Sequence, residues 1–188
     1  MLNKLNVDMR KKLVAKYPFL MPRNDFTGEL VKNYDYSFIN GEYNLPEGWF
    51  ILFLQCCEDI YKVLKKIDYV DEFYFVQIKE KWGRMTLYCH GATKEIEDII
   101  YKYGMLSEQI CSICGKPANV MTYGHVCPYC SKCVQETDMY VDDAETIEIK
   151  TCFGRELYTK DGHAEKLVDC TDEWNRYLDM IGYEENAE

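Results

Sequence analysis

The sequence lacks any run of apolar residues that could cross a bilayer. Its most apolar stretch, FILFLQCC at 50–57, has eight residues, where a spanning helix needs about 20. It also lacks a signal core followed by a small-residue cleavage site, so the expectation is a soluble, cytoplasmic protein. No glycine-rich phosphate loop, Gly-x-Ser-x-Gly elbow or His-Glu-x-x-His pair occurs, which removes the commonest routes to nucleotide, acyl-transfer and metallopeptidase chemistry. The carboxylate pairs Asp142/Asp143 and Asp172/Glu173 are adjacent in sequence, so their side chains diverge and make poor acid–base partners. Internal repeats and low-complexity tracts are missing too. With 47% hydrophobic and 29% charged residues, the chain reads as globular and not disordered.

Cysteine is abundant by contrast. The chain has ten, and five of them fall with one histidine in CSICGKPANVMTYGHVCPYCSKC at 111–133. Two Cys-x-x-Cys pairs, Cys111/Cys114 and Cys130/Cys133, are separated by fifteen residues, the spacing of a tetrahedral zinc site. Gly115 and Pro128 supply turn residues beside the two pairs. Four thiolates fill the zinc tetrahedron and leave no position for water or substrate, so the ion is expected to hold the fold together and not to catalyse. Spacing leaves two alternatives open: Cys127-Pro-Tyr-Cys130 is itself a plausible knuckle, and His125 could replace a sulfur. The remaining cysteines, Cys56, Cys57, Cys89, Cys152 and Cys170, sit in apolar patterns and read as ordinary buried thiols.

The net charge of −10 is unevenly placed. Residues 1–133 carry 17 Lys/Arg against 16 Asp/Glu, whereas residues 134–188 carry 5 against 16. A field of that sign repels nucleic-acid phosphate and favours a basic partner surface. A solvated acidic appendage that aids solubility is the plain alternative.

Along the chain, Leu2, Leu5, Met9, Leu13 and Tyr17 predict an amphipathic helix that stops before Pro18, followed by a long polar and aromatic connection to Pro46. Trp49, Phe53, Cys56, Ile60, Val63 and Ile67 form the apolar stripe of the main core helix. Alternation on either side of Gly83 predicts a hairpin. Its outer face carries Gln77, Lys79, Lys81, Arg84, Thr86 and His90, with Glu80 and Trp82 near the tip on the other face. Thr93 caps a short helix that Gly104 ends. A strand is expected at 146–151, a turn at Gly154 into 155–159, and a helix capped by Thr171 that buries Trp174, Leu178 and Ile181. The fold class is α+β. A small α-β-β-α core (1–109) precedes a zinc ribbon or knuckle insertion (110–135) and an acidic C-terminal β-hairpin and helix region (136–188).

Outside the cysteines, the KEKWGR tip is the best candidate surface. Lys79, Lys81, Trp82 and Arg84 could grip a phosphate or a carboxylate-bearing partner. Lysines that protect a sheet edge from aggregation are the plain reading of the same residues. Asp138, Asp142, Asp143 and Glu145 are the acidic counterpart, a candidate contact for a basic protein.

The phrases KYPFLMPRN (16–24), YDYS (34–37), LPEGW (45–49), QIKEKWGRMTLY (77–88), CSICGKPA and PYCSKC together resemble a family carried by phages, prophages and other mobile elements of Gram-positive gut bacteria. The resemblance covers roughly residues 15–135 and stops short of the acidic region. In that family the position of Cys127 is usually not cysteine, which implies Cys111, Cys114, Cys130 and Cys133 as the ligands. No activity is established for the family. Its setting implies a small accessory protein that acts on host machinery. The expectation is a non-enzymatic, zinc-stabilised protein that inhibits a host factor with a basic surface, as an anti-CRISPR-type blocker of a defence nuclease would. The alternatives are a nucleic-acid-binding regulator that uses Lys79, Lys81 and Arg84, and an enzyme acting on a nucleotide or phosphate ester at the same hairpin.

Overall fold

The computed structural model describes residues 7–24, 27–31, 45–137, 144–159 and 162–184, with side chains left undescribed at 7–10, 152–159 and 162–167. Leu2 and Leu5 of the first expected stripe lie outside these residues. Helices and strands are mixed. In order they are α1 (Val7–Lys16), α2 (Phe50–Lys66), β1 (Tyr74–Lys81), β2 (Arg84–His90), α3 (Lys94–Ser107), β3 (Val120–Thr122), β4 (Cys127–Tyr129), α4 (Ser131–Glu136), β5 (Ala144–Thr146), β6 (Cys152–Thr159), β7 (Gly162–Asp169) and α5 (Thr171–Ile181). No described helix is long and apolar enough to cross a membrane.

Helix α2 is the spine of the core because its apolar positions recur on the helical period. Leu52, Phe53, Cys56, Cys57, Ile60 and Leu64 are fully buried along it. Ile67, expected to extend the stripe, caps the helix and stays 43% exposed. The KYPFLMPRN segment brings an aromatic wedge onto the spine. Phe19 meets Phe73 and Phe75 edge-on at centroid distances of 5.4 and 5.6 Å, a favoured geometry for aromatic pairs.

The expected hairpin forms as a two-stranded antiparallel ribbon, with one change of face. A bulge between Phe75 and Gln77 shifts the register, so Phe75 points inward with Ile78 although an odd number of positions separates them. Met85 and Leu87 complete the inner side. Thr93 caps α3 through the Ile96 N–H, as expected. Gly104, however, lies inside α3 and not at its end. A Cβ there would stand 3.1 Å from the Met85 carbonyl, so the glycine lets helix and strand approach closely.

The C-terminal part holds the expected hairpin and helix, with different strand and turn positions. Gly154 sits within β6, paired with Leu167 of β7, and residues 147–151 form no strand. The Asp-Gly pair at 161–162 is the sequence signal that could have located this hairpin. Helix α5 is built into the main core: Cys170, Trp174 and Tyr177 are buried there, and the Gln55 amide donates to the Glu173 carbonyl at 2.8 Å.

Candidate metal centre

Cys111 and Cys114 lie on a tight turn between α3 and β3, closed by the Gly115 N–H on the Cys111 carbonyl at 3.0 Å. Gly115 adopts φ +78°, a conformation that costs glycine little and other residues more. The chain then runs through the β3–β4 hairpin, and the second pair sits at the start of α4, with Cys130 as its N-cap and Cys133 in its first turn. Turn, hairpin and helix thus share the four positions. Of the ribbon or knuckle expected, the chain forms a knuckle that faces a helix.

The four sulfurs all lie within 4.8 Å of one another, and Cys114 and Cys130 are 3.7 Å apart. Four sulfurs at about 2.3 Å from a tetrahedral ion stand about 3.8 Å from each other, so the set fits an ion of that size. The surroundings favour the charged form at Cys130 and the protonated form at Cys114 and Cys133. Burial raises the Cys130 thiol, but the Cys133 backbone N–H and the neighbouring thiols outweigh it and bring the group below its ordinary value. Burial is the leading cause that pushes Cys114 up to about 11, opposed by the Lys116 backbone N–H. Crowded thiols hold their protons in this way until a cation replaces them. A divalent ion would leave two excess negative charges, and Lys116 and Lys132 border the groove beside the site.

Neither alternative ligand joins the cluster. Cys127 lies in β4, 4% exposed, and burial first of all pushes its thiol up. His125 is exposed in the β3–β4 turn, outside the group that could hold an ion. Cys56 and Cys57 are fully buried and burial raises both thiols well above their usual range, as inert core residues require.

Donors on the body of the protein bind the ligand turn. Gly48 N–H reaches the Ser112 carbonyl at 2.9 Å, Trp49 Nε1–H the Ile110 carbonyl at 2.8 Å, and the Tyr177 hydroxyl the Gly115 carbonyl. The fit is backbone against backbone: a Cβ on Gly48 would lie 2.1 Å from the Cys111 carbonyl oxygen and 2.7 Å from Gly115 N. LPEGW and Tyr177 therefore position the first ligand pair. Sequence reading singled out none of them for this, because each acts on a turn more than 60 residues away.

The hairpin candidates are split by the structure. Lys79 and Lys81 share the outer face, opposite Thr86 and Arg84. Lys79 Nζ stands 5.1 Å from the centre of the Tyr88 ring. Arg84 reaches over to α3, where its Nε lies 2.5 Å from Glu108. Trp82 occupies the two-residue turn with Gly83; both have positive φ, as a type I′ turn requires. The Trp82 ring is 74% exposed. Beneath it a Cβ on Gly83 would lie 3.1 Å from Val126, so the tip rests on the β3–β4 turn of the metal module. Of the acidic candidates, Asp138, Asp142 and Asp143 lie outside the described residues, and Glu145 on β5 accepts from the Tyr123 hydroxyl at 3.1 Å. Comparison with family models, curated proteins and solved structures finds no match for this chain.

Proposed function

We propose that this chain is a non-enzymatic binding protein, stabilised by a zinc ion on Cys111, Cys114, Cys130 and Cys133, that blocks a host factor with its acidic C-terminal part. Four thiolates suit zinc, which would supply a cross-link and no reactive position. The observation that carries the reading is the way the acidic segment is tethered at both ends. It leaves the metal site through α4, and it returns to the site through Tyr177 of α5, which bonds Gly115 beside the first ligand pair. Residues 134–188 carry 5 Lys/Arg against 16 Asp/Glu, and two described parts of this acidic segment, α4 and α5, are both anchored beside the metal site. The segment's natural counterpart is a basic protein face of the kind that binds nucleic acid, such as that of a defence nuclease.

The test replaces Asp138, Asp142 and Asp143 by Asn and Glu145 by Gln in the zinc-loaded chain. The intact protein should retain a basic host protein from a Gram-positive lysate and slow its nucleic-acid cleavage. The neutralised chain should lose both effects while it melts at an unchanged temperature. Equal retention and equal inhibition by the two would contradict the proposal.

A further inference from the structure

We propose that the solvent face of the β1–β2 ribbon, together with its exposed turn, binds single-stranded nucleic acid, with Trp82 of the turn and Tyr88 of the face as stacking platforms and Lys79 and Lys81 as phosphate contacts. The strand register places Tyr88 opposite Gln77, and Lys79 opposite Thr86, on one face. Tyr88 is 42% exposed and Trp82 74%. The Lys79 ammonium lies over the Tyr88 ring at 5.1 Å, so a base stacked on the outer part of the ring would bring its phosphate toward a cation.

Charge selects the ligand. Between Gln77 and Tyr88 the outer face has no carboxylate. Glu80 pairs with Met85 on the inner side, where its Oε1 accepts the Gly83 N–H at 2.7 Å. Glu108 draws Arg84 toward α3. What remains is a small cationic and aromatic strip on a protein of net charge −10. Two lysines are too few for a duplex, whose binders make about six to ten phosphate contacts. A short single strand needs fewer charges and offers unpaired bases to the rings.

Trp82 supplies the independent sign. Its φ is +56°, a backbone conformation that favours asparagine or glycine and is strained for a bulky residue. The ring buries little, so packing within the chain does not explain the choice; contact with a ligand does. The tip is also braced, since Gly83 lies against Val126 and Met121 of the metal module. The two proposals rest on different side chains, so either can fail without the other.

The experiment measures fluorescence anisotropy of labelled oligo(dT), oligo(rU) and a duplex of equal length against the zinc-loaded full chain, at low and at raised salt. Single strands should bind more tightly than the duplex, and the tighter of the two identifies the preferred sugar. Trp82→Asn and Tyr88→Ala should each weaken binding roughly ten-fold. Asparagine suits the turn, so a loss with Trp82→Asn is not misfolding. The Lys79→Ala/Lys81→Ala pair should flatten the slope of log affinity against log salt by about 1.4, or roughly 0.7 per phosphate contact. The proposal is overturned if neither strand binds at low salt, if the duplex is preferred, or if affinity survives both ring substitutions. It is equally overturned if Trp82→Asn releases a captured host protein while no oligonucleotide binds.

Discussion

Gly48→Ala probes the joint between the metal module and the core with one methyl group. The added Cβ would meet the Cys111 carbonyl oxygen at 2.1 Å, Gly115 N at 2.7 Å and the Ser112 carbonyl carbon at 2.9 Å. All three are backbone atoms of the ligand turn, so no side-chain rotation relieves the clash. Either the turn or the start of α2 must move by roughly 1 Å or more, since non-bonded carbon contacts settle near 3.5 Å. Overpacking of this kind costs about 1–3 kcal/mol, and loss of the Gly48–Ser112 hydrogen bond adds about 1 kcal/mol. The expected total is about 2–4 kcal/mol. Because the turn carries Cys111 and Cys114, metal affinity should fall with it, since binding and folding are linked. Urea unfolding with and without chelator, together with competition against a chromophoric zinc ligand, measures both quantities. A variant within about 0.5 kcal/mol of the parent, with unchanged metal affinity, would mean that the ligand turn is not packed against Gly48.

Cys130→Ser should abolish stoichiometric metal binding, whereas Cys127→Ser should keep the metal and lose only about 1–2 kcal/mol for burying a hydroxyl; metal analysis after gel filtration separates the two. Asp59 of α2 is clamped by both guanidinium nitrogens of Arg176 at 3.0 and 2.6 Å and by the Tyr103 hydroxyl at 2.7 Å. Burial opposes its charge, but these bonds outweigh burial and hold the carboxyl at about 2. Its folded-state pKa is therefore depressed, so the stability it adds is present above about pH 4 and is lost as pH falls toward 2. After discounting for the solvent around Arg176, this is about 1–2 kcal/mol. Asp59→Asn should flatten that part of the acid unfolding curve, and an unchanged acid limb would count against the clamp. Trp82→Asn should raise stability by about 0.5–1 kcal/mol in urea, because asparagine relieves the left-handed strain; a lower midpoint would show that the ring packs within the chain.

The parts of the fold legible in the sequence are those fixed by local period or spacing. The α2 stripe, the ribbon about Gly83, the Thr93 cap and the cysteine pairs all depend on residues close together in the chain. Long-range contacts decided the rest. Gly104 reads as a helix end until β2 is seen to pack against it, and Phe75 changes face only because a bulge precedes Gln77. Tyr177 looks like one more aromatic on an amphipathic helix, yet it bonds the metal turn 62 positions away. Arg84 reads as part of a basic face, and the structure gives it to Glu108.

X-ray absorption at the zinc edge of the purified full chain reads out whether Cys111, Cys114, Cys130 and Cys133 hold one ion. One metal ion per chain, with a single shell of four sulfurs at about 2.3 Å, is expected. A shell containing nitrogen or oxygen, or a folded protein without stoichiometric metal, would contradict that expectation.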